Sequence, residues 1–511
     1  MPKPLGNGWK EVKRWWFTRA WWIRYGGYSI ALVGGFYGVE NLRGNWAWKR
    51  HLDQVHVEAA ELRLPAQRSS EEGVITLDDT RFVREIAEDY DLSAEWYLFP
   101  NPDEFDPTNF ATIDGQGSVL IDGLDFARCF PELDALGTLS QAQAVDHALE
   151  EMRKVEEQLA LYVEAAGSTP GPLSPRPVLR SADMASMSSL SVSLIRTFGH
   201  TVGFRGHLRL AQGDSQAALK DAIALLRFAR CLAQRGRLID TTVALVTLVP
   251  ARSLIWHGLD TRAWNAEQLQ ELREALEWVE PARWTQWALW AERERFLPLI
   301  LSLESGPLTR HRANREWGFV NLPNPPYFQS ELEPLRAETS HVLCALMPGG
   351  WARDAGAQYC SELDLAIRIA GEVNPIERQG WVDRAKRLQD SRAWSDELLA
   401  GMLLIGVGAY AEPPMQFETF VRQLRLAVAL ERAWLNIGDY PSFDPTELES
   451  VGVELPIDPF SGKPMTVKLG SNGRPFFYSW GPNGIDDGGV AGATSETGDM
   501  IWTYRDPKLA E

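Results

Sequence analysis

From Tyr25 to Val39 the chain reads YGGYSIALVGGFYGV, a run without a charge. As a helix it spans about 22 Å at ~1.5 Å per residue. Trp21, Trp22 and Ile23, with Arg24 snorkelling to the headgroups, extend it to the ~20 residues that a bilayer requires. A helical pattern follows further on: Val145, Ala148, Met152, Val155, Leu159 and Tyr162 form an apolar stripe opposite Glu150, Glu151, Arg153, Lys154 and Glu157. Leu208 to Arg235 reads as a helix stopping near Gly213, an N-cap at Asp214 and a second, antiparallel helix. Asn265 caps the next helix, where Leu269, Leu272, Leu276 and Val279 line one face. Helical patterning resumes after the Pro-rich stretch at 323–326, and the short apolar run from Leu398 to Ala411 favours a buried core helix, the alternative being a second span that would return the C-terminus to the cytoplasm.

The period changes near the end of the chain. Residues 416–437 carry Phe417, Phe420, Val421, Leu424, Ala427 and Val428 on one helical side, and then short strand candidates alternate with Asn-Gly and Asp-Gly turns. The fold class expected is therefore mainly α: one N-terminal transmembrane anchor, a helical bundle or irregular repeat body, and a small α+β module at the C-terminus. The divisions are 1–14 as a cytoplasmic tail, 15–39 as a signal anchor, 40–137 as a mixed linker and loop region, 138–410 as the helical domain and 411–511 as the α+β module. The module is expected to stay folded when the body is removed.

Composition sharpens this division. A chain of 511 residues with 45% hydrophobic and 23% charged residues has globular composition and exceeds what one core usually serves. Trp15, Trp16, Trp21, Trp22, Trp46 and Trp48 crowd around the uncharged run as a membrane-interface belt would. Lys3, Lys10, Lys13, Arg14, Arg19 and Arg24 precede that run against Glu11 alone, which keeps the N-terminus in the cytoplasm. No small-residue cleavage site follows it, so the segment is an uncleaved anchor. The competing reading is a Trp-rich buried hairpin of a soluble protein. The net charge of -18 repels phosphate backbones, so nucleic acid is not an expected partner. The expected location is the bacterial inner membrane, single-pass, with the body in the periplasm or otherwise outside the cytoplasm and membrane lipid in contact with the anchor.

Few residues carry recognisable chemistry. Gly115-Gln116-Gly117 and Gly406-Val407-Gly408 lack the third glycine of a dinucleotide loop, and there is no H-E-x-x-H, G-x-S-x-G or P-loop. Of Cys129, Cys231, Cys344 and Cys360, the pair Cys344 and Cys360 leaves a disulfide open, although isolated cysteines are more often small buried hydrophobes. His200 and His207 share a helix face without an acidic ligand. Glu292 and Glu294 beside Trp284, Trp287 and Trp290 have the residue types of a glycan surface, but carboxylates two apart on a helix do not face one another. The best local candidate is Asn483, Asp486, Asp487 and Asp499 around a Gly-rich loop, hard oxygen donors suited to Ca²⁺.

Three resemblances follow from quoted residues. The L-x-x-G-D-x-x-x-A-x-x-D texture of the helical region resembles tetratricopeptide-type arrays, without their strict period. Residues 416–511 resemble the globular head of type II secretion major pseudopilins through Gly438, Tyr440-Pro441, Asp458-Pro459-Phe460, Gly462-Lys463-Pro464, Tyr478-Ser479, Gly481, Asn483-Gly484 and Asp499 before Ile501. That resemblance implies calcium in the Gly-rich loop, but the helix here is internal and no prepilin signal leads into it, so pilus assembly does not carry over. Over its length the chain also resembles a group of bacterial membrane-anchored helical proteins of unassigned activity, through Phe36, Tyr37, Glu40, Asn41, Arg43, Gly44, Ala47 and Trp48. The function expected is a membrane-anchored, extracytoplasmic, non-enzymatic scaffold or adaptor with protein partners and a calcium-stabilised head. The alternative is a cell-envelope hydrolase or a glycan- or peptide-binding module.

Overall fold

The computed structural model describes residues 35–50, 141–153, 189–234, 236, 238–302, 344–372, 375–390, 413–490 and 498–504, with positions 156, 159, 160, 163, 308, 311 and 342. The expected cytoplasmic tail, the expected anchor up to residue 34, the expected loop region from 51 to 137 and the apolar run from Leu398 lie outside the described residues. In chain order the helices are α1 (residues 35–50), α2 (Gln141–Met152), α3 (Ser189–Ala211), α4 (Ser215–Gln234), α5 (Leu238–Asp260), α6 (Ala266–Leu276), α7 (Pro281–Ser302), α8 (Gly349–Gly371), α9 (Pro375–Asp390), α10 (Pro413–Ile437) and α11 (Pro445–Ser450). Three short strands follow, β1 (Thr466–Leu469), β2 (Pro475–Ser479) and β3 (Met500–Trp502). The described residues are thus mostly helical with one small sheet. The chain divides into two compact units: one contains residues 1–64, 295–362 and 388–405, and the other contains 65–294, 363–387 and 406–511.

In the first unit α1 is clasped to the start of α8. A Cβ on Gly44 would stand 1.9 Å from the carbonyl oxygen of Gly350, and one on Gly350 would stand 2.2 Å from that of Glu40. Only a residue without a side chain fits at either place, so the two backbones touch directly. Polar groups close the contact. Asn41 Oδ1 accepts from Gly350 N (2.7 Å), Trp351 Nε1 donates to Glu40 Oε2 (2.8 Å) and Arg43 pairs with Asp354 (2.7 Å). Gly350 N belongs to the first turn of α8, where donors lack helical partners, so Asn41 satisfies an otherwise orphaned group. Cys344 and Cys360, also in this unit, are buried thiols and no disulfide joins them. They pack as small hydrophobes.

The second unit is built on α3, α4 and α5, which pack against one another in all three pairings, as in a bundle. The α3–α4 hairpin stops where the sequence says it should: Gly213 adopts φ 81° and Asp214 Oδ1 accepts from Ala217 N (3.0 Å). Between those helices Asp221, 1% exposed, is held by Arg205 (2.7 Å) and Arg209 (2.8 Å). α5 is long and apolar enough to cross a membrane by length and composition, yet 72% of its most apolar window is buried inside the unit. Its position is that of a core helix. α6 begins with a full capping box in which Asn265 and Gln268 exchange side-chain and backbone bonds, and Leu269, Leu272 and Leu276 are buried.

The C-terminal residues do not form a separate core. α10 lies against α5 and α6, and Val421, Leu424, Leu426, Ala427, Val428 and Leu430 belong to the same apolar cluster as Leu225, Leu254 and Leu272. β2 pairs antiparallel with β1 (Thr466 opposite Tyr478) and with β3 (Phe477 opposite Trp502), and both Phe477 and Trp502 enter that cluster. Charged groups bind the module as firmly. Arg474 donates to the carbonyls of Leu259 (2.8 Å) and Asp260 (2.6 Å) at the end of α5, pairs with buried Glu431 (2.6 Å) and stacks on Tyr504 (3.6 Å). Residues 411–511 therefore differ from the separable module that their strand-and-turn texture suggests. Among the described residues the apolar face of α10 is covered chiefly by α5 and α6 of the body, with β2 beside it.

Candidate functional site

The loop after β2 draws the four predicted metal ligands together. Gly481, Gly484, Gly488, Gly489 and Gly498 all have positive φ, and a Cβ on Gly481 would meet Gly498 O at 2.2 Å. That close approach folds the loop back so that Asp499, just before β3, reaches its interior. Asp499 is 5% exposed and accepts from Asp487 N (3.3 Å) and Gly489 N (2.6 Å). Asn483 Nδ2 donates to Asp487 Oδ2 (2.9 Å), while Asp486 Oδ1 accepts from Tyr478 O–H (3.1 Å) and Gly488 N (3.0 Å). Burial raises the Asp499 carboxyl above the usual carboxylate range, Asp486 adds repulsion, and the backbone donors of Gly489, Asp487 and Val490 oppose the rise.

These bonds leave Asp486 Oδ2 and Asp487 Oδ1 outside them. Among the described residues no three of His, Cys, Asp and Glu are spaced to hold a metal ion. A cation entering here would draw on those two oxygens, on Asp499 and on loop carbonyls. Lys468, from the neighbouring strand, already places its ammonium near Gly488 O (3.4 Å) and Tyr478 Oη (3.4 Å). The sequence reading missed this lysine, which reaches the loop only through the β1–β2 pairing. Asp458, which opens the Asp458-Pro459-Phe460 segment, has a structural task. Its buried carboxylate accepts from Phe460 N (3.1 Å), Ser461 N (3.1 Å), Trp480 N (3.2 Å) and Ser479 Oγ, fixing the entry of the loop.

Two other candidates resolve into packing. His207 lies buried with Nε2 3.1 Å from Ser253 Oγ and Nδ1 2.9 Å from Nδ1 of His257, a residue the sequence did not single out. The distances match a hydroxyl and its base, but Ser253 is 2% exposed between helices, beyond the reach of a substrate carbonyl. Trp284 and Trp287 are buried as well and only Trp290 of the three is half-buried, so they do not form a three-ring platform for a sugar. The feature nearest the predicted anchor is α1. Its outward side carries Val39 (64% exposed), Leu42 (70%) and Trp46 (66%), opposite the side clasped to α8, with Phe36 (46%) at the edge of the clasp against Trp351.

No protein-family profile matches the chain, and no curated protein or solved structure matches it.

Proposed function

We propose that this protein is a membrane-anchored scaffold or adaptor whose body lies outside the cytoplasm. The observation that carries this reading is α1: it continues the uncharged run from Tyr25, keeps an apolar outer side and is locked by its other side to the start of α8 in the first unit. A span joined to the first unit by a backbone-to-backbone helix contact holds that unit at a defined place on the membrane. Points suited to protein contacts include exposed Trp278, stacked by Arg230 at 4.5 Å, and exposed Leu435 and Ile437 at the end of α10. The topology has a direct test. Protease added to spheroplasts is expected to digest the chain beyond residue 50 and leave the basic N-terminus protected. Recovery of the intact chain in the soluble fraction, or loss of only its first residues, sinks the reading.

The head is proposed to be calcium-stabilised through Asn483, Asp486, Asp487 and Asp499. Support comes from the convergence of these groups and from the Asp499 carboxyl, whose burial and repulsion by Asp486 a cation would relieve. The detergent-solubilised full chain is expected to melt several degrees higher in calcium than in chelator, since a ligand at 100 times its dissociation constant adds about 2.7 kcal/mol. Asp487→Ala and Asp499→Ala should remove the shift, and Asp506→Ala should not. Equal melting in calcium and in chelator leaves the loop as a hydrogen-bonded turn alone.

A further inference from the structure

Apolar side chains remain exposed on two segments of the first unit that are far apart in sequence. α1 contributes Phe36 and Val39, and the stretch before α8 contributes Val342 (45% exposed) and Leu346 (60%). The fold brings the segments together. Tyr37 Oη donates to the carbonyl of Leu346, and the rings of Phe36 and Trp351 meet edge to face at 6.2 Å. Two polar side chains near this contact are paired within the protein: Trp351 Nε1 bonds to Glu40 and Arg43 pairs with Asp354. What faces outward at the N-terminal end of α1 is therefore largely hydrocarbon and aromatic ring.

We infer that Val342 and Leu346, together with Phe36 and Val39, form a lipid-contact patch by which the first unit rests on the outer leaflet beside its own anchor. The inference deepens the scaffold reading and rests on its anchor. The occupant follows from chain continuity. Val39 is both the last residue of the uncharged run and part of α1, so a bilayer holding that run ends beside Tyr37. Leu346 is hydrogen-bonded to Tyr37 and so lies at that same level. Aromatic residues with one polar and one apolar end, as Tyr37 and Trp351 have here, suit such a boundary. The headgroup layer is only roughly 5–8 Å thick per leaflet. Asn45, about 12 Å along the helix from Tyr37 at ~1.5 Å per residue, lies beyond it.

Environment-sensitive fluorophores on single introduced cysteines test this in proteoliposomes of the full chain. Cys231, Cys344 and Cys360 are buried, and Cys129→Ala removes the remaining native thiol. Labels at Val39→Cys and Leu346→Cys are expected to emit at shorter wavelength than in water and to be quenched by quencher-bearing lipids. A label at Asn45→Cys should behave as in water. If the Val39 label is quenched and the Leu346 label is not, the anchor reading stands and the patch is overturned. If neither is quenched, both fail. Shielding of the Leu346 label accompanied by dye self-quenching, without lipid quenching, means that a second copy covers the patch and overturns the lipid assignment.

Discussion

Truncation after residue 410 is expected to unfold the helices of residues 189–276 rather than simply to remove a tail. α10 supplies Met415, Val421, Leu424, Leu426, Val428 and Leu430 to the interior, each 2% exposed or less. Full burial of such a side chain stabilises by about 1.5–3 kcal/mol, so together they contribute on the order of 10 kcal/mol. A whole domain is usually stable by only about 5–15 kcal/mol. Removing α10 also exposes Leu269, Leu272 and Leu276 of α6 and frees the carbonyls of Leu276 and Val279, to which Arg425 donates at 2.8 and 3.0 Å. The truncated chain in detergent should lose its cooperative thermal transition and much of its helical circular dichroism. A truncated protein that keeps an intact, cooperative melt would show that α10 is an accessory and that the tail is separable after all.

Leu272→Asp is expected to have an effect of similar size from a single side chain. Leu272 is fully buried within α6, in the apolar cluster shared with α10. Truncation to alanine at such a site typically costs about 2–5 kcal/mol through lost transfer energy and the cavity left behind. Aspartate adds the desolvation of a polar group with no partner, which takes the total past the ~4–5 kcal/mol that marks a disruptive substitution. The variant should lack a folded baseline at ordinary temperature, whereas Glu271→Ala, one position away on the exposed side, should melt within about 0.5 kcal/mol of the parent. Chemical denaturation of both variants decides it. A folded, helix-rich Leu272→Asp protein would mean that α6 does not face the core.

Legibility followed the range of each interaction. The Asn265 cap reads directly because its partner, Gln268, stands three residues away, and the Asp214 cap reads for the same reason. The stripe of Val421, Leu424, Ala427 and Val428 reads because one helical face repeats every 3.6 residues. α5 was less legible. Its composition is that of a membrane span or of a helix surrounded by protein, and only packing on α3, α4 and α10 distinguishes the two. The residues Glu40, Asn41, Arg43 and Gly44 were legible as a pattern and opaque in purpose.

Sequence alone determined the helix stop at Gly213, the caps at Asp214 and Asn265, the apolar faces of α6 and α10, the uncharged run near the N-terminus and the set of carboxylates in one glycine-rich loop. These properties depend on residues a few positions apart, whose spacing is set by the geometry of the helix turn and the strand pleat. Tertiary structure alone decided that Gly44 meets Gly350, that Arg474 joins Glu431 to the end of α5, that Lys468 enters the carboxylate loop and that α10 completes the core of the body. The physical reason is that an apolar face states only that it must be covered. Which distant face covers it depends on how shape, backbone approach and buried charge are satisfied across the whole unit at once.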